Sequence, residues 1–145
     1  MNNRINIAEA APEAYKAMLA LEMRVAGAGL NPVLRHLIKV RASQINGCAF
    51  CIDMHTTEAR KDGETERRLY ALNAWRDTPF FTEEEQAVLA LTEEVTLIQH
   101  QVSDETYQRA AQLFDEHQLA IIYMTIVAIN AWNRISVGTG RQPAL

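Results

Sequence analysis

The sequence predicts an all-α fold, a single-domain helical bundle of about six to seven helices spanning residues 1–145. Apolar residues recur at the three- and four-residue spacing of one helix face over most of the chain. Asn, Thr and Ser stand where helices are expected to begin, and glycines where they are expected to end. No segment with the strict alternation of a half-buried strand remains. A chain of 145 residues can also bury a sufficient core without disulfide staples.

The first half of the chain predicts three helices. The first covers residues 11–29, with a proline near its start and glycines at its end. Asn31 and Pro32 are typical of an N-cap and first helical position, and they begin a second helix that Asn46 and Gly47 end. The third helix is expected from about Cys48 to Asp62, so a cysteine stands at its N-terminus.

The second half predicts four more helices. Residues 64–77 form the fourth, and Pro79 separates it from a fifth over residues 82–100, which Thr82 caps. Ser103 caps a sixth, and the last helix is expected from about residue 116 to 137, ending at Gly138.

The last predicted helix is apolar around most of its circumference, so it needs cover on all sides. Two explanations stand side by side, because periodicity does not separate them. The helix either packs partly on another subunit or lies at the centre of one monomer. Its apolar residues are Leu119, Ile121, Ile122, Met124, Ile126, Val127 and Ile129.

Composition excludes several classes of partner. The formal net charge of -4 argues against nucleic acid, because phosphate binding requires a basic surface. No apolar run reaches the roughly 18 residues of a membrane span. The N-terminal sequence also lacks the charged-then-apolar order of a signal peptide. We therefore expect a cytoplasmic protein with no nucleic-acid or membrane partner.

The segment "INGCAFCIDMH" holds both cysteines of the chain and a histidine four residues after the second. On a helix, Cys51 lies about 60° from Cys48 and His55 about 40° from Cys51, so all three share one face. The helix N-terminus favours an anion at Cys48, and His55 lies one turn beyond Cys51. Both effects lower a thiol pKa and favour reversible thiol chemistry.

Three other interpretations of this segment compete with reversible thiol chemistry. In the first interpretation, the two cysteines are buried structural residues beside a core histidine. In the second they bind zinc, but the sequence offers no second cysteine pair, and His36, His100 and His117 show no ligand spacing. The third, a thioredoxin-like motif, requires strands that the sequence lacks. The favoured interpretation needs no metal and no cofactor.

Nearly the whole chain, from "APEAYKAML" to "AINAWNRI", resembles the alkyl hydroperoxidase D-like branch of the carboxymuconolactone decarboxylase superfamily. The string S-Q-I-N-G-C-x-x-C-x-x-x-H is specific to that branch. The resemblance implies an all-α fold and homo-oligomers, commonly trimers or hexamers. Carried over by position, it makes Cys51 the residue that attacks the peroxide, Cys48 the resolving residue and His55 the residue that activates the thiolate.

Two positions depart from the family pattern. Peroxidases of the family carry a Glu twelve residues before the first cysteine, where this chain has His36, and a histidine inside the CxxC, where it has Phe50. His36 can shuttle a proton near neutral pH, but it supplies no fixed negative charge. It is therefore either a substitute relay or a partly buried helix residue with no role.

The sequence thus predicts a thiol-dependent peroxidase that takes a hydroperoxide substrate and a dithiol reductant, through Cys51, Cys48 and His55. One alternative is a decarboxylase or lactone-handling enzyme that uses His55 and His36 as acid and base. The other is a non-catalytic, redox-sensing oligomer.

Overall fold

The computed structural model describes residues 4–145, and that range is helical without a strand. The all-α prediction is confirmed. The predicted domain began at residue 1, and residues 1–3 lie outside the described range. In chain order the α-helices are α1 (Ile7–Ala10), α2 (Pro12–Ala26), α3 (Pro32–Asn46), α4 (Ala49–Lys61), α5 (Glu66–Tyr70), α6 (Glu83–Thr96), α7 (Asp104–Leu113) and α8 (Glu116–Thr139). Two 3-10 helices span Leu72–Asp77 and Ile98–His100.

Side-chain caps begin the helices where the sequence places them. Asn31 accepts a hydrogen bond from the Val33 N–H at 2.9 Å at the start of α3. Thr82 accepts one from the Glu85 N–H, and the Glu85 carboxylate accepts one from the Thr82 N–H, which completes a capping box on α6. Each cap satisfies an amide that the helix leaves unpaired.

Several element boundaries differ from the prediction. The predicted first helix ends at Ala26, before residue 29. The predicted fifth helix, over residues 82–100, divides into α6 and the 3-10 helix Ile98–His100, because Leu97 has a non-helical ψ of 50°. The fourth helix divides at Ala71, the C-cap of α5, into α5 and a 3-10 helix, and Ala74 kinks the 3-10 helix with a non-helical φ of -120°. The last helix continues through Gly138 to Thr139 and ends where Gly140 adopts a left-handed φ of 69°. A short helix, α1, precedes the predicted first helix and is capped by Asn6. The sequence pattern does not predict these features, because alanine is compatible with a continuous helix and a helix of one turn, such as α1, is too short to show a periodicity.

Helix α3 is the central element of the bundle and packs against α4, α6 and α8. Its residues Leu37, Ile38 and Val40 are fully buried. One side of α3 joins a core shared with α6, α7 and α8, and the other side joins a core shared with α4, α5 and the first 3-10 helix. The end of α3 therefore has a fixed position, and the cysteine segment follows directly from it.

Helix α8 is buried along one face and exposed along another. Ile122, Ile126 and Ile129 are fully buried, whereas Met124 and Val127 are 39% and 46% exposed. By length and composition α8 is also apolar enough to cross a membrane, a property that a core helix of a soluble bundle shares. The monomer therefore covers this helix on one side and leaves the apolar residues on the other side uncovered.

Candidate active site

A tight turn places the cysteine pair. Helix α3 ends at Asn46, and Gly47 adopts a left-handed φ of 64°, a conformation that a side chain disfavours. Cys48 then serves as the N-cap of α4, and its N–H donates to the Ser43 carbonyl at 3.0 Å. The prediction of a CxxC motif at a helix N-terminus is confirmed.

Asparagines of α8 hold this turn in place. The Asn46 amide donates to the side-chain oxygens of Asn130 and Asn133, at 2.9 Å each. Asn133, which is fully buried, donates in turn to the Ser43 hydroxyl at 3.0 Å. Because buried amides are costly without partners, this network fixes the end of α3 against α8. Sequence reasoning did not find this network, because its partners lie more than 80 residues apart.

Cys48 and Cys51 are joined by a disulfide, with Cα atoms 5.2 Å apart, and each residue is 1% exposed. The Cys51 N–H donates to the Cys48 sulfur at 3.3 Å. The N-terminus of α4 therefore stabilises negative charge on the Cys48 sulfur more directly than on the Cys51 sulfur. Within residues 4–145, no three His, Cys, Asp or Glu side chains form a group that could hold a metal.

A pocket of about 320 Å³ lies beside Cys51. Cys48 lies outside its lining, so only one of the two disulfide-bonded cysteines contacts this space. The polar lining residues are Glu22, Lys39, His55, Glu58, Ser136 and Arg141. The apolar lining residues are Tyr15, Leu19, Phe50, Met54 and Trp132. The pocket therefore brings a sulfur, a buried imidazole and paired charges together in one partly apolar space.

His55 is 5% exposed, and its Nδ1 lies 3.1 Å from Oε2 of Glu58, one turn further along α4. Burial lowers the pKa of His55 below 6.5, the positive charge of Lys39 lowers it further, and Glu58 opposes both effects. His55 is therefore mostly neutral at pH 7. A neutral ring that donates its Nδ1–H to Glu58 has Nε2 free to accept a proton.

An ion pair forms the inner wall of the pocket, and sequence reasoning did not find it. The Lys39 ammonium contacts the Glu22 carboxylate, which also accepts a hydrogen bond of 3.3 Å from the indole N–H of Trp132. Lys39 is 8% exposed. The available signal was a lysine among buried apolar positions of α3, since a lysine is almost never buried without a partner. Glu22 gave no signal, because it lies on another helix.

His36 lies in a neighbouring cavity of about 260 Å³ and not in the lining of the Cys51 pocket. Its Nε2 is 2.6 Å from Oδ2 of Asp62, which follows α4. Lys39 and Glu58 line both cavities and separate His36 from His55. The structure therefore brings together three of the four predicted site residues, Cys48, Cys51 and His55, and leaves His36 behind Glu58.

The fold and the site define a class of all-α proteins that carry a cysteine pair at a helix N-terminus beside a buried histidine. The model of the carboxymuconolactone decarboxylase family matches residues 12–94, so the chain belongs to that family. The predicted resemblance is confirmed.

Two curated relatives and two solved structures support this membership. The uncharacterized protein YdfG of Bacillus subtilis (strain 168) is 47% identical over 145 residues and 99% of each chain. YnjA of Escherichia coli (strain K12), also uncharacterized, is 31% identical over 90 residues, which are 62% of this chain and 50% of YnjA. The protein of unknown function ATU0492 from Agrobacterium tumefaciens has a TM-score of 0.95 at 44% identity, covering 98% of each chain. The debrominase Bmp8, solved with 2,3,4-tribromopyrrole, has a TM-score of 0.84 at 18% identity over 94% of this chain and 73% of its own, a likeness of fold alone.

Proposed function

We propose that the protein is a thiol-dependent peroxidase that reduces hydroperoxides through a dithiol–disulfide cycle of Cys48 and Cys51. The observation that carries this proposal is the pocket in which Cys51, and not Cys48, lies with the buried, mostly neutral His55. The similarity to ATU0492 supports this proposal, because the name given to ATU0492 suggests an antioxidant defence protein, AhpD. The cysteine pair therefore lies beside a space of about 320 Å³ that Cys51 borders, which is room for a small organic molecule.

In the reduced protein, His55 accepts the thiol proton of Cys51, and the thiolate attacks the distal oxygen of the hydroperoxide. The O–O bond breaks, Cys51 becomes a sulfenic acid, and the leaving alkoxide takes the proton from His55 and departs as an alcohol. The Cys48 thiol then attacks the sulfenic sulfur. Its proton leaves with the hydroxide as water, and the Cys48–Cys51 disulfide forms.

A dithiol reductant closes the cycle. Its thiolate attacks the Cys51 sulfur, because Cys51, and not Cys48, lines the pocket. Cys48 leaves as a thiolate, which the Cys51 N–H and the N-terminus of α4 stabilise. The second thiol of the reductant then displaces Cys51, so two electrons pass from the reductant and both cysteines return to thiols. This cycle requires a reducing compartment, and a cytoplasmic location remains a prediction.

Glu58 positions His55 in this proposal. The Glu58→Gln variant should lower kcat/KM by about tenfold or more, because the imidazole loses a charged partner that fixes its tautomer and orientation. The acid limb of the pH–rate profile should also move to lower pH. The sign follows from the structure: Glu58 raises the pKa of His55, so its removal lowers that pKa. Stopped-flow turnover measured between pH 5 and 8 checks both effects.

Two other variants distinguish the effect of Glu58 from the effects of net charge and of His36. Asp53 is exposed on the same helix, and Asp53→Asn removes the same charge without touching His55, so its profile should match wild type. His36→Gln tests whether the His36–Asp62 pair acts as an outer proton shuttle behind Glu58. A fall in kcat/KM of about tenfold or more supports that role. Superimposed profiles of His36→Gln and wild type make His36 a bystander.

Hydroperoxide consumption by the purified protein tests the proposed function. We expect one equivalent of dithiothreitol to be oxidised for each hydroperoxide reduced, with repeated turnover. A disulfide that forms once and does not turn over indicates the redox sensor instead. An activity on a lactone or a carboxylic acid that survives in a Cys48→Ser/Cys51→Ser variant indicates the decarboxylase-type alternative.

A homo-oligomer, a trimer or hexamer, is also proposed, and the exposed apolar face of α8 supports it. Contact with a second subunit would cover Met124 and Val127, which the monomer leaves exposed. Sedimentation velocity at low micromolar concentration should therefore give a species heavier than 16.3 kDa. A Val127→Glu variant should shift that species toward the monomer. A wild-type protein that sediments as a monomer contradicts the proposal.

A further inference from the structure

The Cys51 pocket has a buried inner end and an exposed rim. Cys51, His55 and Lys39 are each less than 9% exposed and form the inner end. Leu19 and Arg141 are exposed and form the rim. A molecule that reaches the sulfur must therefore place its reacting end inside and its other end near the rim.

The pocket is larger than hydrogen peroxide requires. A volume of about 320 Å³ corresponds to roughly ten water molecules in the liquid. A second cavity, of about 360 Å³, adjoins it and shares Tyr15 and Arg141 in its lining. The walls carry Tyr15, Phe50 and Trp132, which favour an apolar or aromatic body.

Arg141 is the cationic side chain of this pocket that lacks an ionic partner within residues 4–145. Lys39 is paired with Glu22, and Glu58 is hydrogen-bonded to His55. The guanidinium of Arg141 lies over the Phe50 ring, 3.8 Å from its centroid, and no carboxylate within residues 4–145 pairs with it. A guanidinium stacked by its face keeps its in-plane N–H donors available for a carboxylate.

The end of α8 fixes the position of Arg141. Gly140 is left-handed, and its N–H donates to the carbonyls of Ser136 and Val137. The Arg141 N–H then donates to the Ser136 carbonyl at 2.8 Å. These bonds form a Schellman motif, which turns the chain back and brings Arg141 over the ring of Phe50.

We propose that the pocket selects organic hydroperoxides that carry a carboxylate, and that Arg141 binds this carboxylate at the rim. The inference rests on the proposed peroxidase function and names its substrate class. The carboxylates of Glu22 and Glu58 repel the carboxylate of such a substrate, whereas the guanidinium of Arg141 attracts it. Charge therefore orients the substrate with its hydroperoxide toward Cys51 and His55.

A matched pair of substrates tests the proposal. The para-carboxylated form of cumene hydroperoxide and its methyl ester have the same reacting centre and differ in charge. With wild-type protein at pH 7.5, we expect kcat/KM for the acid to exceed that for the ester by about tenfold or more, the effect of one charge-assisted contact. In Arg141→Gln the ratio should fall close to one, and Arg141→Lys should restore part of it.

Arg67 provides the matched control. Its guanidinium stacks on the Phe80 ring, 4.4 Å from the centroid, on α5 and away from the Cys51 pocket. Arg67→Gln removes the same charge and the same kind of stacking contact, so it should keep the wild-type ratio. A ratio that changes equally in both variants reports net charge and overturns the role of Arg141.

A ligand-binding experiment distinguishes failure of this inference from failure of the proposed function. Para-isopropylbenzoate has no hydroperoxide group, and its binding should alter the fluorescence of Trp132, a lining residue. Wild type should bind it about tenfold more tightly than Arg141→Gln does. A peroxidase that prefers the ester, or binding that Arg141→Gln leaves unchanged, overturns the substrate class. Carboxylate binding without any turnover supports the ligand class and rejects the peroxidase.

Discussion

Cys51→Ser should abolish hydroperoxide reduction, a loss of at least about a thousandfold, because covalent attack requires the thiol of Cys51, the cysteine that lines the pocket. The serine hydroxyl has a far higher pKa than a thiol and is no nucleophile toward an O–O bond under these conditions. Hydroperoxide loss followed at pH 7 with excess dithiothreitol measures the effect. Cys48→Ser should behave differently, because it retains Cys51 and lacks only the resolving thiol.

A sulfenic-acid probe such as dimedone distinguishes the two cysteines. In Cys48→Ser we expect one rapid equivalent of hydroperoxide to be consumed and the probe to label Cys51. Mass spectrometry of the peptide that spans the motif locates the label. Labelling of Cys48 in the Cys51→Ser protein, at a wild-type rate of hydroperoxide consumption, reverses the proposed roles of the two residues.

Glu93→Gln should cost about 3 kcal/mol of stability, the typical loss when one member of a buried charged network is removed. The Glu93 side chain is 14% exposed and lies among several donors. The Trp75 indole donates to it at 2.8 Å, Arg41 donates at 2.9 Å, and Arg76 also contacts it. These bonds connect α3, the first 3-10 helix and α6. Urea unfolding monitored by circular dichroism measures the change.

The loss of stability in Glu93→Gln should depend on pH. Burial alone would raise the pKa of Glu93, but hydrogen bonds from Arg76, Trp75 and Arg41 outweigh it and lower the pKa below 4.5. A depressed pKa stabilises the folded state above pH 4.5, and that contribution disappears as the pH falls toward the folded-state pKa. The difference from wild type should therefore shrink in acid. Glu84→Gln, at an exposed position of α6, provides the control and should cost less than about 1 kcal/mol of stability at any pH. An equal loss of stability in both variants contradicts the stabilising role assigned to Glu93.

Local sequence was sufficient to predict most of the helix order. Asn31, Thr82 and Ser103 cap the helices that the pattern assigns to them, because a cap is a bond between near neighbours in the chain. The break at Ala71, where α5 gives way to the 3-10 helix, was not predictable on the same grounds. It depends on how the segment from Leu72 to Asp77 packs its buried Leu72 and Trp75 against the core, which is a tertiary effect.

The candidate site also contains residues that local sequence could predict and residues that only the folded chain brings together. Cys48, Cys51 and His55 lie within two turns of one helix, so helical geometry alone placed them together. Glu58 lies on the same helix and was missed because its bond to His55 resembles an ordinary surface pair in sequence. Glu22 and Trp132 come from α2 and α8, and only the folded chain brings them to Lys39.

The asparagine network between α3 and α8 defines the smallest unit that can carry this site. The family match ends at residue 94, before α7 and α8, yet Asn130 and Asn133 hold the turn that leads into Cys48. Helix α8 also contributes Ile122 and Ile126 to the core that α3 shares with α6. A fragment cut to the matched segment would keep both cysteines and His55 but would lose the support that orients them. We therefore expect the unit that folds on its own to extend beyond residues 12–94, the segment that the family model matches.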